Sequence, residues 1–291
     1  MNILVTGGAG FIGSHLCNTL VKKGERVLCI DNMVTGSYKN IEHLLNHENF
    51  KLLDGDVELA DQVIQQNTII DQIYHLASPT APDSVNKNKE MTRRVNSTGT
   101  CKLLNLAERT GSKLLFVSSV KVCGECPRVT DYIFGKRMGE ELCLNSGAKV
   151  ARLASVYGPN MALDDSRVIP VFITKTLRKE PISLWNGGSQ IDSFCYVDDI
   201  VRGLISFMDS RHIGVVEFGA PEGISIKQLS EKIMNQITSD IDVKTDEQIL
   251  VVDECHKVVD ITDAKKMLDW APAISLDEGL SRTIEYFKSK L

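Results

Sequence analysis

Short apolar runs alternate with amphipathic stretches through the first half of the chain. The runs Asn2–Thr6, Arg26–Ile30, Phe50–Asp54, Gln72–Leu76, Lys113–Ser118 and Lys149–Leu153 have the length of strands. Between them Phe11–Lys22, Ser84–Arg109 and Tyr132–Ser146 space their apolar residues as helices do. Strands alternating with helices predict a parallel sheet covered on both faces. Near-continuous apolar character, as in Lys113-Leu114-Leu115-Phe116-Val117, suits strands buried on both sides.

Beyond residue 155 the rhythm changes. Gly158-Pro159-Asn160 and Asn186-Gly187-Gly188 mark turns. Helices are predicted over Val168–Arg178, Val197–Met208, Ile226–Ile237 and Ser275–Lys288. The pattern predicts an α/β protein with two parts. A doubly wound parallel sheet spans 1–158, with 194–220 returning to it. A smaller mixed α/β substrate domain, mainly 159–291, covers the carboxyl ends of the strands.

The first strand runs into Thr6-Gly7-Gly8-Ala9-Gly10-Phe11-Ile12-Gly13, which opens the first helix. Gly7, Gly10 and Gly13 fall at G-x-x-G-x-x-G spacing, a variant of the Rossmann dinucleotide fingerprint. Glycine permits the tight turn, the approach of a pyrophosphate to the backbone, and close helix–strand packing. The pyrophosphate then meets the positive helix end at Phe11 and Ile12. Asp31, followed by Asn32, closes the second strand. A carboxylate there accepts from the adenosine 2′-hydroxyl and repels a 2′-phosphate, so the cofactor reads as NAD rather than NADP.

Composition narrows the field. The 291 residues are 43% hydrophobic and 24% charged, with a net charge of −5, which argues against nucleic-acid and membrane-surface partners. No apolar run approaches the roughly 18 residues of a membrane span. The N-terminus reads as a buried strand rather than a signal peptide, so a cytoplasmic location is expected. The eight cysteines are scattered through apolar stretches and read as reduced core residues. Cys123-x-x-Cys126 has only the distant Cys255-His256 as a second ligand pair, so no metal site is expected.

Several further segments resemble the extended short-chain dehydrogenase/reductase family, whose members act on nucleotide sugars. They are Asp56-Val57, His75-Leu76-Ala77-Ser78, Asn96 within Val-Asn-Ser-Thr-Gly-Thr, Tyr196-Val197-Asp198-Asp199, and Asp260-Ile261 with Trp270 and Pro272. The stretch from His47 to Pro79 looks most like UDP-glucuronate decarboxylases. The resemblance implies that Asp56 and Val57 contact adenine, and that Leu76, Ala77, Ser78 and Asn96 line the cofactor. It also implies a homodimer packed through Ser84–Arg109 and Tyr132–Ser146. Leu103, Leu104, Leu106 and Ala107 suit either that seam or an intramolecular core.

Tyr132-x-x-x-Lys136 places both side chains on one face of a helix. Such a pair alone is commonly a solvated edge; its position after the Ser118-Ser119 strand gives it meaning. A tyrosine is a weak base at neutral pH, and a neighbouring ammonium with a positive nicotinamide favours its phenolate. Lys136 would also hold the nicotinamide ribose, and Ser119, with Ser118 as the adjacent alternative, would bind the reacting hydroxyl. The resemblance then implies redox-neutral chemistry through a transient 4-keto sugar. Its fates are 4-epimerisation, decarboxylation of a uronate, or dehydration, and 4-ketoreduction uses the same triad.

Departures from the family bear on the sugar. Val120-Lys121 replaces the Asp-Glu of dehydratases, and decarboxylases keep a glutamate where Lys121 stands; a lysine there suits a uronate carboxylate. Asp192 replaces an arginine that contacts the sugar nucleotide, and Ser155 replaces an asparagine. Cys123 replaces a tyrosine, and only seven residues separate Gly124 from Tyr132. Arg167 is the candidate diphosphate ligand, and Trp185 joins the substrate set. Epimerisation asks least of this pocket and ranks first, on a nucleotide sugar that is most simply a UDP-sugar. A non-catalytic NAD(H) sensor is the contrasting class, and retained Tyr132 and Lys136 speak against it.

Overall fold

The computed structural model describes residues 1–60, 64, 68–123, 130–238, 241–246 and 258–291. Strands β1 (Asn2–Thr6), β2 (Arg26–Asp31), β3 (Phe50–Asp54), β4 (Gln72–His75), β5 (Lys113–Ser119) and β6 (Lys149–Leu153) follow the apolar runs closely. Then come the short strands β7 (Ser155–Tyr157), β8 (Ile182–Trp185), β9 (Ile191–Asp192) and β10 (Phe194–Tyr196). The last three strands are β11 (Gly214–Phe218), β12 (Ile224–Ser225) and β13 (Val243–Asp246).

Among the described residues, seven strands form one sheet in the order β3-β2-β1-β4-β5-β6-β11. Every neighbouring pair in it is parallel. In β1, Ile3, Leu4 and Val5 are almost wholly buried, as a strand covered on both faces requires. The chain winds outward from β1 in both directions, so the order reverses between β1 and β4. Ligands of doubly wound sheets bind at this reversal, outside the carboxyl ends of the strands. The short pairs β7–β10, β9–β12 and β8–β13 lie outside the large sheet.

The helices are α1 (Phe11–Lys22), α2 (Tyr38–Ile41), α3 (Pro82–Lys87), α4 (Lys89–Arg94), α5 (Thr100–Thr110) and α6 (Asp131–Asn145). They continue as α7 (Val168–Leu177), α8 (Val197–Asp209), α9 (Ile226–Ile237), α10 (Thr262–Leu268) and α11 (Leu276–Lys288). The single helix expected over Ser84–Arg109 is in fact broken. Asn88 leaves helical geometry (φ −127°, ψ 43°), and Val95–Gly99 is π-helical. Polar side chains there bond to main-chain carbonyls: Asn96 Nδ2 donates to Thr92 O at 2.7 Å, and Thr100 Oγ1 donates to Asn96 O at 2.9 Å. Such back-bonding competes with the helical ladder, while the apolar period survives the extra residue, so the break is silent in a periodicity reading.

Leu103, Leu106 and Ala107 face inward and belong to the core, which settles their two readings in favour of intramolecular packing. Trp270 is buried in the other core cluster and donates through Nε1 to Asp199 O at 3.0 Å. Asp199 itself accepts the N–H groups of Ala273 and Ile274 at 3.0 and 2.9 Å. The second aspartate of Tyr196-Val197-Asp198-Asp199 thus anchors the C-terminal segment. Among the described residues, no helix is long and apolar enough to cross a membrane. Cys126, Cys255 and His256 lie outside the described residues, as do positions 124–129 before Tyr132.

Candidate active site

One cavity of about 1650 Å³ runs from the glycine turn at β1 to Trp185 on β8. Its first wall is backbone. Gly7 has φ +74°, and a Cβ there would lie 2.7 Å from Ala77 N, so β1 and the end of β4 approach as only glycine allows. A Cβ on Gly13 would collide with the Gly7 carbonyl, which is how α1 begins so close to the turn. Gly10 is the N-cap of α1 and carries no side-chain cap, leaving the first N–H groups directed at the cavity that Gly10, Phe11, Ile12 and Gly13 line.

Asp31 is buried at the end of β2 and lines the same cavity. Its carboxylate accepts Ala9 N–H and Met33 N–H, each at 2.9 Å. Burial pushes its pKa up, and those N–H groups pull it back. Asn32 reaches across to Asp56 Oδ2 at 3.3 Å, joining the ends of β2 and β3. Val57 packs in the core against Gly99, while Leu76, Ala77 and Ser78 line the cavity beyond β4. Asn96 donates to Ser78 Oγ at 2.9 Å, and its Oδ1 is buried without a partner among the described residues. The sequence-predicted cofactor residues therefore converge, and an uncapped helix start, a buried carboxylate and an orphaned acceptor fit a dinucleotide.

Tyr132 and Lys136 lie one turn apart on α6, which Thr130 caps by accepting Ile133 N–H at 3.3 Å. Lys136 is 2% exposed and donates to Val117 O at 2.7 Å. Burial lowers its pKa to about 7, against a smaller opposing pull from Glu140. Tyr132 and Ser119, the last residue of β5, line the same cavity. Ser118, the alternative, is buried, and its hydroxyl has no hydrogen-bond partner among the described residues.

The expected lowering of the Tyr132 pKa by Lys136 is not what this geometry gives. The ammonium lies 5.9 Å from the Tyr132 ring centre and is turned to the Val117 carbonyl. Burial raises the phenol, and the Ser119 hydroxyl and Arg167 act to lower it. Arg167 is therefore within electrostatic reach of Tyr132, a placement the sequence did not suggest.

The opposite wall carries the sugar-side candidates. Lys121, Ser155, Arg167, Trp185 and Asp192 all line the cavity. Lys121 N–H donates to Ser119 Oγ at 3.2 Å, which ties this position to the end of β5. Arg167 forks onto Asp165, with Nε 3.0 Å from both carboxylate oxygens, so its charge is already matched within the protein. The Asp165-Ser166-Arg167 spacing, in which Asp165 also accepts Arg167 N–H at 3.0 Å, was the sequence signal for that pairing. Ser155 and Asp192 meet: Ser155 Oγ donates to Asp192 Oδ2 at 2.9 Å. Among the described residues no group of His, Cys, Asp and Glu side chains is placed to hold a metal.

Known proteins give the same picture. A sequence profile described as the NAD dependent epimerase/dehydratase family matches residues 3–217. UDP-glucuronic acid decarboxylase 1 of Arabidopsis thaliana is 36% identical over 316 residues, covering 100% of this chain and 71% of that protein. The structure of UDP-glucuronic acid 4-epimerase from Bacillus cereus, in complex with UDP-glucuronic acid and NAD, superposes with a TM-score of 0.86. It is 26% identical and covers all of both chains. UDP-glucose 4-epimerase of Thermotoga maritima, solved with UDP-glucose, gives a TM-score of 0.88 at 28% identity, over 100% of this chain and 99% of that one.

Proposed function

The chain belongs to the NAD-dependent epimerase/dehydratase family, and from that premise we propose that it decarboxylates a UDP-hexuronic acid after oxidising the sugar at C4. The observation that carries the chemistry is the convergence of Ser119, at the end of β5, with Tyr132 and the buried Lys136 one turn along α6, on one cavity. The substrate class is supported by relatives such as UDP-glucuronic acid decarboxylase 1. Preference for decarboxylation over epimerisation, which the pocket alone ranked first, rests on those relatives.

NAD, when bound, supplies the acceptor for the C4–H electron pair and later returns it. Everything else falls to this chain. The glycine turn and the start of α1 hold the pyrophosphate, and Asp31 takes the adenosine ribose. Ser119 holds the sugar 4-hydroxyl against Tyr132, and Tyr132 removes its proton. With C4 a ketone, the C6 carboxylate is β to a carbonyl. Its C5–C6 bond breaks, carbon dioxide leaves, and the electron pair passes to the C4 oxygen as an enolate. The enolate regains a ketone by taking a proton from water at C5. On return of the electron pair to C4, Tyr132 gives its proton back to the C4 oxygen. Arg167 and the Tyr132 hydroxyl, which line the same cavity, would stabilise the enolate charge, and Lys121, beside Ser119, suits the departing carboxylate.

A second reading, 4-epimerisation of the same uronic acid, is favoured by Lys121, which stands where the family's glutamate would be. Incubation with NAD and UDP-glucuronic acid separates the two. A UDP-pentose with release of carbon dioxide supports the proposal. Unchanged mass with inverted C4 in the NMR spectrum supports epimerisation, and recovery of unchanged substrate contradicts both. A homodimer through α6 is supported by its exposed Phe134, Met138 and Leu144; light scattering at micromolar concentration should give twice the 32.2 kDa chain mass.

A further inference from the structure

His75 closes β4 in the middle of the large sheet, is wholly buried, and takes no part in the chemistry above. Both of its ring nitrogens meet hydroxyl groups. Nδ1 lies 2.8 Å from Oγ1 of Thr6, the last residue of β1. Nε2 lies 3.1 Å from Oγ1 of Thr100, which opens α5 directly after the π-turn. Thr6 and Thr100 are buried as completely.

The groups at the two ends decide which way the protons run. Asn96 O can only accept, and it takes the Thr100 hydroxyl proton at 2.9 Å. A hydroxyl has one proton, so Thr100 Oγ1 is left to accept from His75, and Nε2 carries the hydrogen. A neutral imidazole then offers Nδ1 as an acceptor, which receives the Thr6 proton. Thr6 Oγ1 keeps a lone pair for Ala77 N–H, which can only donate, at 3.4 Å. One direction therefore runs from Ala77 through Thr6, His75 and Thr100 to Asn96 O.

A second proton on the ring would face the Thr6 proton and break the chain there. Burial opposes it first and the Lys136 ammonium on α6 second, holding the pKa down at about 3 against a smaller pull from the Val95 carbonyl. Phe116 of β5, with its ring centre 5.4 Å away, brings no charge.

The two ends of the chain meet the cofactor wall. Ala77 is the residue that Gly7 approaches, and Ala77 and Ser78 line the cavity. Asn96 returns to the same segment through Nδ2, which donates to Ser78 Oγ at 2.9 Å. We infer that His75 is a positioning residue for the dinucleotide: as the neutral Nε2–H tautomer it ties β1 to the π-turn and so holds Ala77 and Ser78 in place against the cofactor. The inference uses the NAD site alone and is independent of the sugar.

NMR of the unliganded protein labelled with ¹⁵N at histidine reads the tautomer directly, and His75→Gln identifies its signal among the six histidines. His75 should show a protonated Nε2 and a bare Nδ1, unchanged between about pH 5 and 8, where an ordinary histidine titrates. A protonated Nδ1, or titration within that range, overturns the inference. Calorimetry with NAD then weighs the link. His75→Leu should weaken NAD by about tenfold, the scale of buried hydrogen-bonding groups left unpaired. His75→Gln keeps a donor for Thr100 and should recover most of that loss; a glutamine variant as weak as the leucine one reduces His75 to packing and overturns the inference. Where His75→Leu fails to fold, Thr100→Val breaks the same link from the other side and should weaken NAD by about fivefold. NAD binding at wild-type strength in either variant overturns the inference and leaves the cofactor assignment standing.

Discussion

The two ends of the cavity are built by different means. At the β1–β2–β4 end, contacts are made by backbone: Gly7 against Ala77 N, the uncapped start of α1, and Asp31 held by two main-chain N–H groups. At the β7–β9 end they are made by side-chain pairs, Ser155 with Asp192 and Arg167 with Asp165. Backbone sites tolerate few residue types, because a positive φ or a close approach admits essentially glycine. Side-chain pairs can exchange donor for acceptor while the fold is kept. The first end is therefore the less tolerant of substitution, and the second can change its polarity with the fold intact.

The sharpest break of this comparison is chemical. Tyr132→Phe removes the proton acceptor and leaves the cofactor wall untouched. Turnover should fall by about 10²–10⁴-fold, the usual contribution of a general base, while NAD affinity measured by calorimetry stays within about twofold. Unchanged turnover would remove Tyr132 from the mechanism.

Gly7→Ala attacks the backbone end. The positive φ costs about 1–3 kcal/mol for a non-glycine residue, and the new Cβ meets Ala77 N at 2.7 Å. Denaturant unfolding should show that loss, and NAD affinity should fall by about tenfold or more, consistent with a loss on that scale. Wild-type affinity would show that the turn does not carry the cofactor.

Asp31→Ala should narrow the preference for NAD over NADP by about tenfold, since one charged hydrogen-bond acceptor is lost. Competition binding with the two dinucleotides reads this directly, and an unaltered ratio would assign the discrimination elsewhere.

Lys136 gives a smaller effect with a definite sign. Its folded pKa is about 7, below the roughly 10.4 of an unfolded lysine. Between those values the unfolded chain binds more protons, so stability rises with pH, by about 1 kcal/mol per unit at most from this group. Lys136→Met should remove that increment from unfolding curves recorded between pH 7 and 10. Parallel curves for variant and wild type would mean that Lys136 stays charged in the fold.

Legibility in the sequence follows the same division. The strand ends of the large sheet, the glycine turn and the Tyr132–Lys136 pair were readable because each is local: a period of apolar residues, or a fixed spacing on one element. The π-turn at Asn96 was hidden because it shifts the helix without altering its composition. The Ser155–Asp192 contact was hidden for a different reason. Each residue reads alone as a departure, and only the pairing of β7 with β10, which sets Ser155 beside Phe194, shows that one supplies the proton the other accepts. Arg167 illustrates the cost of reading residues singly: its positive charge was visible, and its partner two residues away went unweighed.

The account stands on a catalytic end that uses its cofactor and restores it within one turnover, on a uronic acid. UDP-glucuronic acid deuterated at C4 tests that claim most directly. The account predicts a UDP-pentose that retains the deuterium at C4, because the label leaves and returns within the closed site. Loss of the label to solvent, or recovery of the uronic acid unaltered in the presence of NAD, would contradict it.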